Sequence, residues 1–390
     1  MLSRSSNSSL NAWRISPESF GVVRCIGFEY SELCEIQASS FMILGIESSC
    51  DESAIALYHP LHGVVGEWVH SQIQQHSQYG GVVPDLAVRQ HLENFFPMLD
   101  LFRSGSFSSR EISEIAVTCG PGLIGCLGVG LSIGKTLGEL WRVPVYGVNH
   151  LRGHAFSPFM KLSSSDLNWD QLLPHLGLLV SGGNTLLFEM NLRKEIQVIG
   201  RTMDDAAGEA LDKGAKLLGI PYPGGAELEK FAIQGDSTAF KFPRAFKSKE
   251  EKDFSFSGLK TSLLYQLQKM SSEEIQGRYC DLCASYQEAA VDQLSKKCRH
   301  FLSKKPYRSF GLSGGVANNQ ALRDRLQGVC SDQAVSFYKA EKKYTGDNAA
   351  MIAFAAFLDR DGLWSNENGQ LSFNPSLMLD SLPIRSYGKE

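Results

Sequence analysis

Two stretches of this chain share one pattern. Residues 42–58 (MILGIESSCDESAIALY) and 176–190 (LGLLVSGGNTLLFEM) each run from an apolar strand through a small, polar turn into a second apolar strand. Either stretch alone reads as an ordinary β-hairpin. Two of them, about 130 residues apart, point to two related lobes facing one cleft. In each turn, hydroxyls and free backbone N–H groups crowd together, an arrangement that can cradle phosphate oxygens. Gly-rich turns and helix-period segments fill the sequence between the hairpins, so the class is α/β.

The 390 residues suffice for two or three domains. With 43% hydrophobic and 21% charged residues, composition excludes disorder and collagen for most of the length. The net charge of -4 provides no whole-chain basic field, so any contact with nucleic acid must come from local patches. Nine irregularly spaced cysteines read as free thiols in a reduced compartment. Residues 115–134 are uncharged for 20 positions, about a bilayer's width. They also hold six glycines and Pro121, which break a helix. The expectation is a buried strand, a Gly-rich loop and a tightly packed helix, with no membrane span.

Residues 1–41 are Ser-rich and without period. Arg4, Arg14 and Arg24 suggest a mitochondrial transit peptide, whereas Glu18, Glu29, Glu32 and Glu35 argue against one. A disordered tail or an upstream start is the preferred reading, with Met42 opening the first core strand.

Several segments carry chemistry. Gly311–Gln320 (GLSGGVANNQ) follows an apolar residue and opens a helical segment, ALRDRLQ. Strand, Gly-Gly, helix suits anionic groups, yet it is neither the P-loop nor the dinucleotide fingerprint. Residues 204–218 predict a helix with Glu209–Lys213 and Asp212–Lys216 pairs, which also fits a plain solvated face. Residues 220–225 (IPYPGG) form an irregular turn able to close over a ligand. In Asn149-His150-Leu-Arg-Gly-His154, helical geometry would put both imidazoles on one face, able to bind one metal. Asp347 is a candidate third ligand, with N-capping of the following apolar helix as its alternative role. Such a set suits Fe(II) or Zn(II). The His-Glu-x-x-His of metalloproteases is absent, because Leu151 follows His150. Cys280-Asp-Leu-Cys283 has no second Cys pair near it and reads as two helix cysteines near the core. Two basic segments, 241–260 and 296–308, are either solvated helix ends or tracks for an RNA backbone; the second contains no acid.

Taken in order, nine segments resemble the TsaD family of tRNA N6-adenosine threonylcarbamoyltransferases. They are GIESSCDES (45–53), YGGVVPDLAVRQH (79–91), GPGLIGCLGVGLSIGK (120–135), NHLRGH (149–154), LVSGGNT (179–185), DDAAGEALDKGAKLLGIPYPGG (204–225), FSFSGLKT (254–261), GLSGGVANNQALR (311–323) and YTGDNAAMIA (344–353). They span about residues 42–355, roughly four fifths of the chain, and the tail beyond about 360 adds little to the match.

The resemblance implies the actin/Hsp70/sugar-kinase-like fold, with two lobes around a nucleotide cleft. It implies a first lobe at 42–152, a second lobe with the nucleotide and substrate motifs at 153–345, and a C-terminal helix returning to the first lobe, plus tail, at 346–390. It implies transfer of the threonylcarbamoyl group from threonylcarbamoyl-AMP to N6 of the tRNA adenosine next to the anticodon (position 37), in tRNAs reading codons that begin with adenine. By motif, His150, His154 and Asp347 match the metal ligands, for Fe(2+) first and Zn(2+) second. Leu179, Val180, Ser181, Gly182, Gly183, Asp212, Gly225 and Asn319 match substrate-contacting positions. Implied partners are tRNA and the TsaB-like and TsaE-like proteins of a bacterial complex, in the cytoplasm, with the mitochondrion as alternative. Three departures stand out: Asp85 where Glu is usual, Arg152 where bacterial members often carry an acid, and Asn184 in place of a common His. A sugar or carboxylate kinase of the same fold, and a non-catalytic RNA-binding subunit, are the competing functions.

Overall fold

The structure is a computed structural model that describes residues 41–104, 107–162, 166–246, 251–365 and 371–383. The extension expected at 1–41 lies outside the described residues, apart from the exposed Phe41.

The first sheet contains β1 (Met42–Glu47), β2 (Glu52–His59), β3 (Gly63–Ser71), β4 (Ile112–Gly120) and β5 (Val145–Asn149), in the order β3-β2-β1-β4-β5. β1 pairs antiparallel with β2 and parallel with β4. The second sheet contains β6 (His175–Val180), β7 (Thr185–Met190), β8 (Ile196–Arg201), β9 (Ser309–Ser313) and β10 (Ser336–Lys339), in the order β10-β9-β6-β7-β8. Here β6 pairs antiparallel with β7 and parallel with β9. Strand for strand, the two sheets have the same topology, so the repeated hairpin of the sequence is the start of a repeated sheet. β1 and β6 are buried along their whole length, as their unbroken apolar runs require at the centre of a sheet.

Helices α1 (Pro84–Ser104) and α2 (Ile124–Trp141) cover the outer face of the first sheet around Leu44, Ile46, Phe95, Phe102 and Val117. The uncharged stretch therefore resolves as expected into β4, a Gly-Pro-Gly turn and α2. Gly125 and Gly130 let α2 approach closely, since a Cβ there would strike Val88 or Ser48. Among the described residues no helix is long and apolar enough to cross a membrane. The second sheet packs on α4 (Ala207–Leu217), α5 (Gly225–Ala232), α6 (Ser257–Leu267), α7 (Tyr279–Leu302) and α8 (Gln320–Asp332); we reserve α3 for His150–Phe156 and α9 for Ala349–Leu358. Cys280 and Cys283 sit in α7 as free thiols, and every described cysteine is free.

The chain leaves each sheet's fifth strand, β5 or β10, ahead of one of these helices, α3 or α9. α3 is buried from end to end and α9 over Ala349–Ala356, and both share one apolar cluster with Ile43, Tyr58 and Val148 of the first sheet and Leu179, Phe188 and Met190 of the second. Sequence explains α9: AAMIAFAAFL is apolar all round, which suits only a buried helix. The C-terminal segment 371–383 then ties the two sheets together. Asn374 N donates to Cys119 O, Asn149 Nδ2 to Met378 O, Arg152 Nε to Leu379 O, and Val198 N of β8 to Asp380 Oδ2.

Candidate active site

α3 and α9 start on the same side of the central cluster, and their first turns bring three ligand atoms together. His150 and His154 lie one turn apart on α3, with rings 4.8 Å apart. Asp347 Oδ1 lies 3.0 Å from His154 Nε2 and 3.4 Å from His150 Nε2. One ligand atom from each residue falls within 4.8 Å of the others. The capping role considered for Asp347 belongs to its neighbour: Asn348 is the N-cap of α9, its side chain accepting from Met351 N at 2.8 Å. Asp347 is thereby released from the helix terminus, one residue before the cap.

Sequence reading assigned no role to Glu47, which the structure makes the anchor of this centre. It ends β1 fully buried, one Oε accepting from Ser49 N at 2.6 Å and the other from Thr118 Oγ1 at 2.6 Å. That second oxygen also faces His150 Nδ1 at 3.0 Å. A carboxylate only accepts, so His150 donates from Nδ1 to Glu47, which leaves Nε2 facing Asp347 and His154. The available signal was a lone carboxylate ending a fully apolar strand, since burial there demands a partner. Burial alone would raise Glu47, but His150 beside it and the Thr118 hydroxyl bring it below its usual range. Burial depresses His150, yet the Asp347 and Glu47 carboxylates hold it well above an ordinary imidazole. Asp347 is pulled down by His150 and His154 against its own burial. Asp51 and Glu52 are both raised, by burial first and then by neighbouring carboxylates including Asp347. Two imidazole nitrogens, a carboxylate and this surplus of negative charge fit a divalent cation.

Arg152 lies between the two histidines in sequence but not in space. Its guanidinium is buried, pairs with Asp359 and donates to Leu379 O, so it adds no charge to the ligand cluster.

The second lobe presents its own turn. Leu179 and Val180 end β6, buried. Ser181 and Asn184 close the turn through Ser181 N to Asn184 O at 2.8 Å and Asn184 N to Ser181 Oγ at 3.0 Å. Gly182 and Gly183 face open space, whereas Gly208 of α4 packs on the Ser181 carbonyl. Asp212 of α4 does not pair with Lys216 as its spacing predicted. Its Oδ1 accepts from Gly224 N at 2.9 Å and Gly225 N at 2.8 Å, holding the start of α5. Burial raises Asp212 despite those two bonds. Glu209 does pair with Lys213, at 3.0 Å. Asn319 is the N-cap of α8 and donates to Gln287 Oε1 at 2.8 Å. The Tyr222 phenol is pushed up by burial first, then by the charges of Asp51 and Asp212.

The basic segment 296–308 has no acid of its own, but the fold supplies several. Lys296 pairs with Asp292, Arg299 with Asp332, and Lys305 with Glu189, while Lys297 is buried and donates to Glu251 O. Three of its six cations, Lys296, Arg299 and Lys305, are thus paired with acids outside the segment.

Comparison with known proteins agrees with this geometry. Residues 63–354 match the model of the TsaD family, described as tRNA N6-adenosine threonylcarbamoyltransferase. The tRNA N6-adenosine threonylcarbamoyltransferase of Polaromonas naphthalenivorans (strain CJ2) is 41% identical over 320 residues, covering 81% of this chain and 88% of that protein. Among solved structures, HypF of T. kodakarensis aligns with a TM-score of 0.52 and 14% identity over 80% of this chain. Full-length HypF in a phosphate- and nucleotide-bound form aligns at 0.50 and 13% over 82%. The chain spans 46% of each HypF, and at these identities the likeness concerns the fold alone, of the actin/Hsp70/sugar-kinase kind. Family membership implies a divalent metal, in keeping with the His150, His154 and Asp347 donors. The chain belongs to the TsaD family of tRNA N6-adenosine threonylcarbamoyltransferases, and so transfers a threonylcarbamoyl group to N6 of a tRNA adenosine.

Proposed function

We propose that the donor is threonylcarbamoyl-AMP and that the acceptor is the adenosine next to the anticodon, at position 37, in tRNAs reading codons that begin with adenine. The observation that carries this reading is the convergence of His150, His154 and Asp347 within 4.8 Å, in a chain whose two sheets share one topology and one strand-turn-strand opening. The donor is a mixed anhydride of a carbamate and a phosphate. The adenine N6 amine attacks the carbamoyl carbon, the bond from that carbon to the phosphate oxygen breaks, AMP leaves, and N6 loses one proton. No protein nucleophile is needed. His150, His154 and Asp347 would hold a divalent metal, Fe(2+) before Zn(2+), which when bound would supply Lewis acidity towards the threonylcarbamoyl group. The open Gly182–Gly183 turn after Leu179, Val180 and Ser181 receives the AMP phosphate through backbone N–H groups. Asp212, whose Oδ1 is engaged by Gly224 and Gly225, offers Oδ2 to a ribose hydroxyl. Asn319 contacts the nucleotide from the start of α8.

The lobes divide at 42–152 and 153–345, with the C-terminal helix of 346–390 returning to the first and a tail following it. Partner proteins of TsaB-like and TsaE-like type assist turnover in the cytoplasm; a mitochondrial location follows if residues 1–41 are a transit peptide. The test is to incubate the protein with threonylcarbamoyl-AMP and unmodified tRNA and to assay digested tRNA by mass spectrometry. Threonylcarbamoyladenosine at position 37, with AMP released in equal amount, is expected. AMP release without modified nucleoside would overturn the acceptor assignment.

A further inference from the structure

Behind the Ser48–Glu52 turn, a buried hydrogen-bond chain runs inward from α1. Asn94 Nδ2 donates to Ser53 Oγ at 3.2 Å, Ser53 Oγ lies 2.7 Å from His91 Nδ1, and His91 Nε2 lies 3.0 Å from the Cys50 carbonyl oxygen. Ser53 and His91 are 0% exposed. Chemistry dictates the direction of every bond. A carbonyl only accepts, so His91 carries its proton on Nε2. The neutral ring then offers a lone pair at Nδ1, to which the Ser53 hydroxyl donates, leaving that oxygen free to accept from Asn94. One protonation pattern satisfies all the members, so the chain is stiff as well as buried.

The end of this chain lies at the metal centre. The carbonyls of three successive turn residues are held from three different elements: Ser49 O by Leu123 N at 2.8 Å, Cys50 O by His91, and Asp51 O by Gln72 N at 2.9 Å. Cys50 is thus the one among these three whose anchor is a side chain. It stands between Ser49, whose hydroxyl is 3.2 Å from His150 Nδ1, and Asp51, which feels the charge of Asp347.

We propose that His91 is a positioning residue for the transfer reaction. By donating from Nε2 to the Cys50 carbonyl, it orients the Ser49–Asp51 peptides, and with them the Ser49 hydroxyl against His150 and the Asp51 carboxylate at the mouth of the site. This inference rests on the transfer reading above and adds a residue to it.

Two neutral amides separate the links. His91→Asn places its amide near the Nδ1 position, keeping Ser53 and losing Cys50. His91→Gln reaches the Nε2 position and keeps Cys50. With full-length, metal-loaded protein, His91→Asn is expected to lower kcat about 10–100-fold, the usual cost of an outer-shell partner. KM for tRNA and metal content should hold, and His91→Gln should retain most of the turnover. If both amides lower the melting temperature and leave kcat per folded, metal-loaded enzyme unchanged, His91 is only a structural residue and the proposal fails. A second measurement needs no activity: 15N NMR of histidine-labelled wild-type protein should show His91 as the neutral Nε2–H tautomer. An Nδ1–H tautomer would overturn the proposed donation. Absence of transfer by the wild type would count against the transfer reading alone, because the tautomer is read independently.

Discussion

The turn between β1 and β2 and the turn between β6 and β7 occupy equivalent places in two sheets of equal topology. In the first, Glu47, Asp51 and Glu52 crowd carboxylates around a hairpin whose backbone is gripped by Leu123, His91 and Gln72. In the second, Ser181, Gly182, Gly183 and Asn184 carry no charge, and the two glycines face open space. The same contrast recurs at the helices that leave the sheets: α3 supplies two imidazoles, while α9 follows one carboxylate. Duplication provides two like frames: the segments that leave them together supply the candidate cation ligands, His150 and His154 from the first and Asp347 from the second, while the carboxylates crowd only the first turn.

The most disruptive test of that division is Asp347→Asn. Asn348 caps α9, so folding should be nearly intact. The change keeps volume and removes the anionic ligand, so metal affinity and single-turnover transfer should both fall, by at least about 10–100-fold. Metal analysis and transfer on one preparation check this. Full occupancy with normal transfer would remove the cation role from the cluster the two frames share.

Next in size is Arg152→Met. The guanidinium is buried against Asp359 and the Leu379 carbonyl, where segment 371–383 crosses from one sheet to the other. Leaving Asp359 buried and unpaired should cost about 3–5 kcal/mol, read by denaturant unfolding. Metal affinity of the folded fraction should be unchanged, because Arg152 does not face the ligands. A metal defect without a stability defect would instead put its charge in the site.

A matched glycine pair probes the second frame. Gly314, at φ +87°, abuts the Val180 carbonyl, so Gly314→Ala should destabilise by about 1–3 kcal/mol. Gly183→Ala meets open space and should leave the melting temperature alone. Its methyl would obstruct close approach to the backbone, weakening threonylcarbamoyl-AMP binding by about 1 kcal/mol, or roughly fivefold. Equal binding by both variants and wild type would detach this turn from the donor.

What could be read in the sequence was whatever depends on local order. The hairpins, the Gly-broken apolar stretch, α9 and the spacing of His150 and His154 all follow from neighbours in the chain. Legibility ended where the partner lay far away. Glu47 meets His150 across 103 residues, and Lys305 meets Glu189 across 116, so neither the anchor of His150 nor this ion pair has a local signature. Asp212 shows the same limit. Helical spacing offered Lys216 as a partner, but two backbone N–H groups beyond the α4 terminus satisfy the carboxylate instead. The candidate ligands His150, His154 and Asp347 could be proposed from spacing and residue type, whereas the substrate-contacting positions were assigned only by resemblance to a family.

A last comparison concerns two buried imidazoles, one in each lobe. His91 has partners at both nitrogens, whereas His175, at the start of β6, bonds Ser309 Oγ through Nδ1 at 2.6 Å and leaves Nε2 without a partner among the described residues. Close packing at Nε2 explains this: a Cβ on Gly311 would fall 2.7 Å from it, and Pro158 lines the same space. Burial lowers His175 to about 3, against 6.5 in the unfolded chain. The unfolded state therefore binds a proton that the folded state refuses. Stability from this group is complete above about pH 6.5 and declines as pH falls towards 3, with a limiting slope of about 1.4 kcal/mol per unit. His175→Asn keeps a donor for Ser309 and cannot titrate. It should be less stable than wild type at pH 7.5, because the shorter side chain leaves a gap, yet lose less stability between pH 6 and pH 4. Urea unfolding of both proteins across that range isolates the difference, since the other titrating groups are common to both. Parallel stability curves would mean that His175 protonates in place, with Nε2 finding an acceptor that the packing around Gly311 denies it.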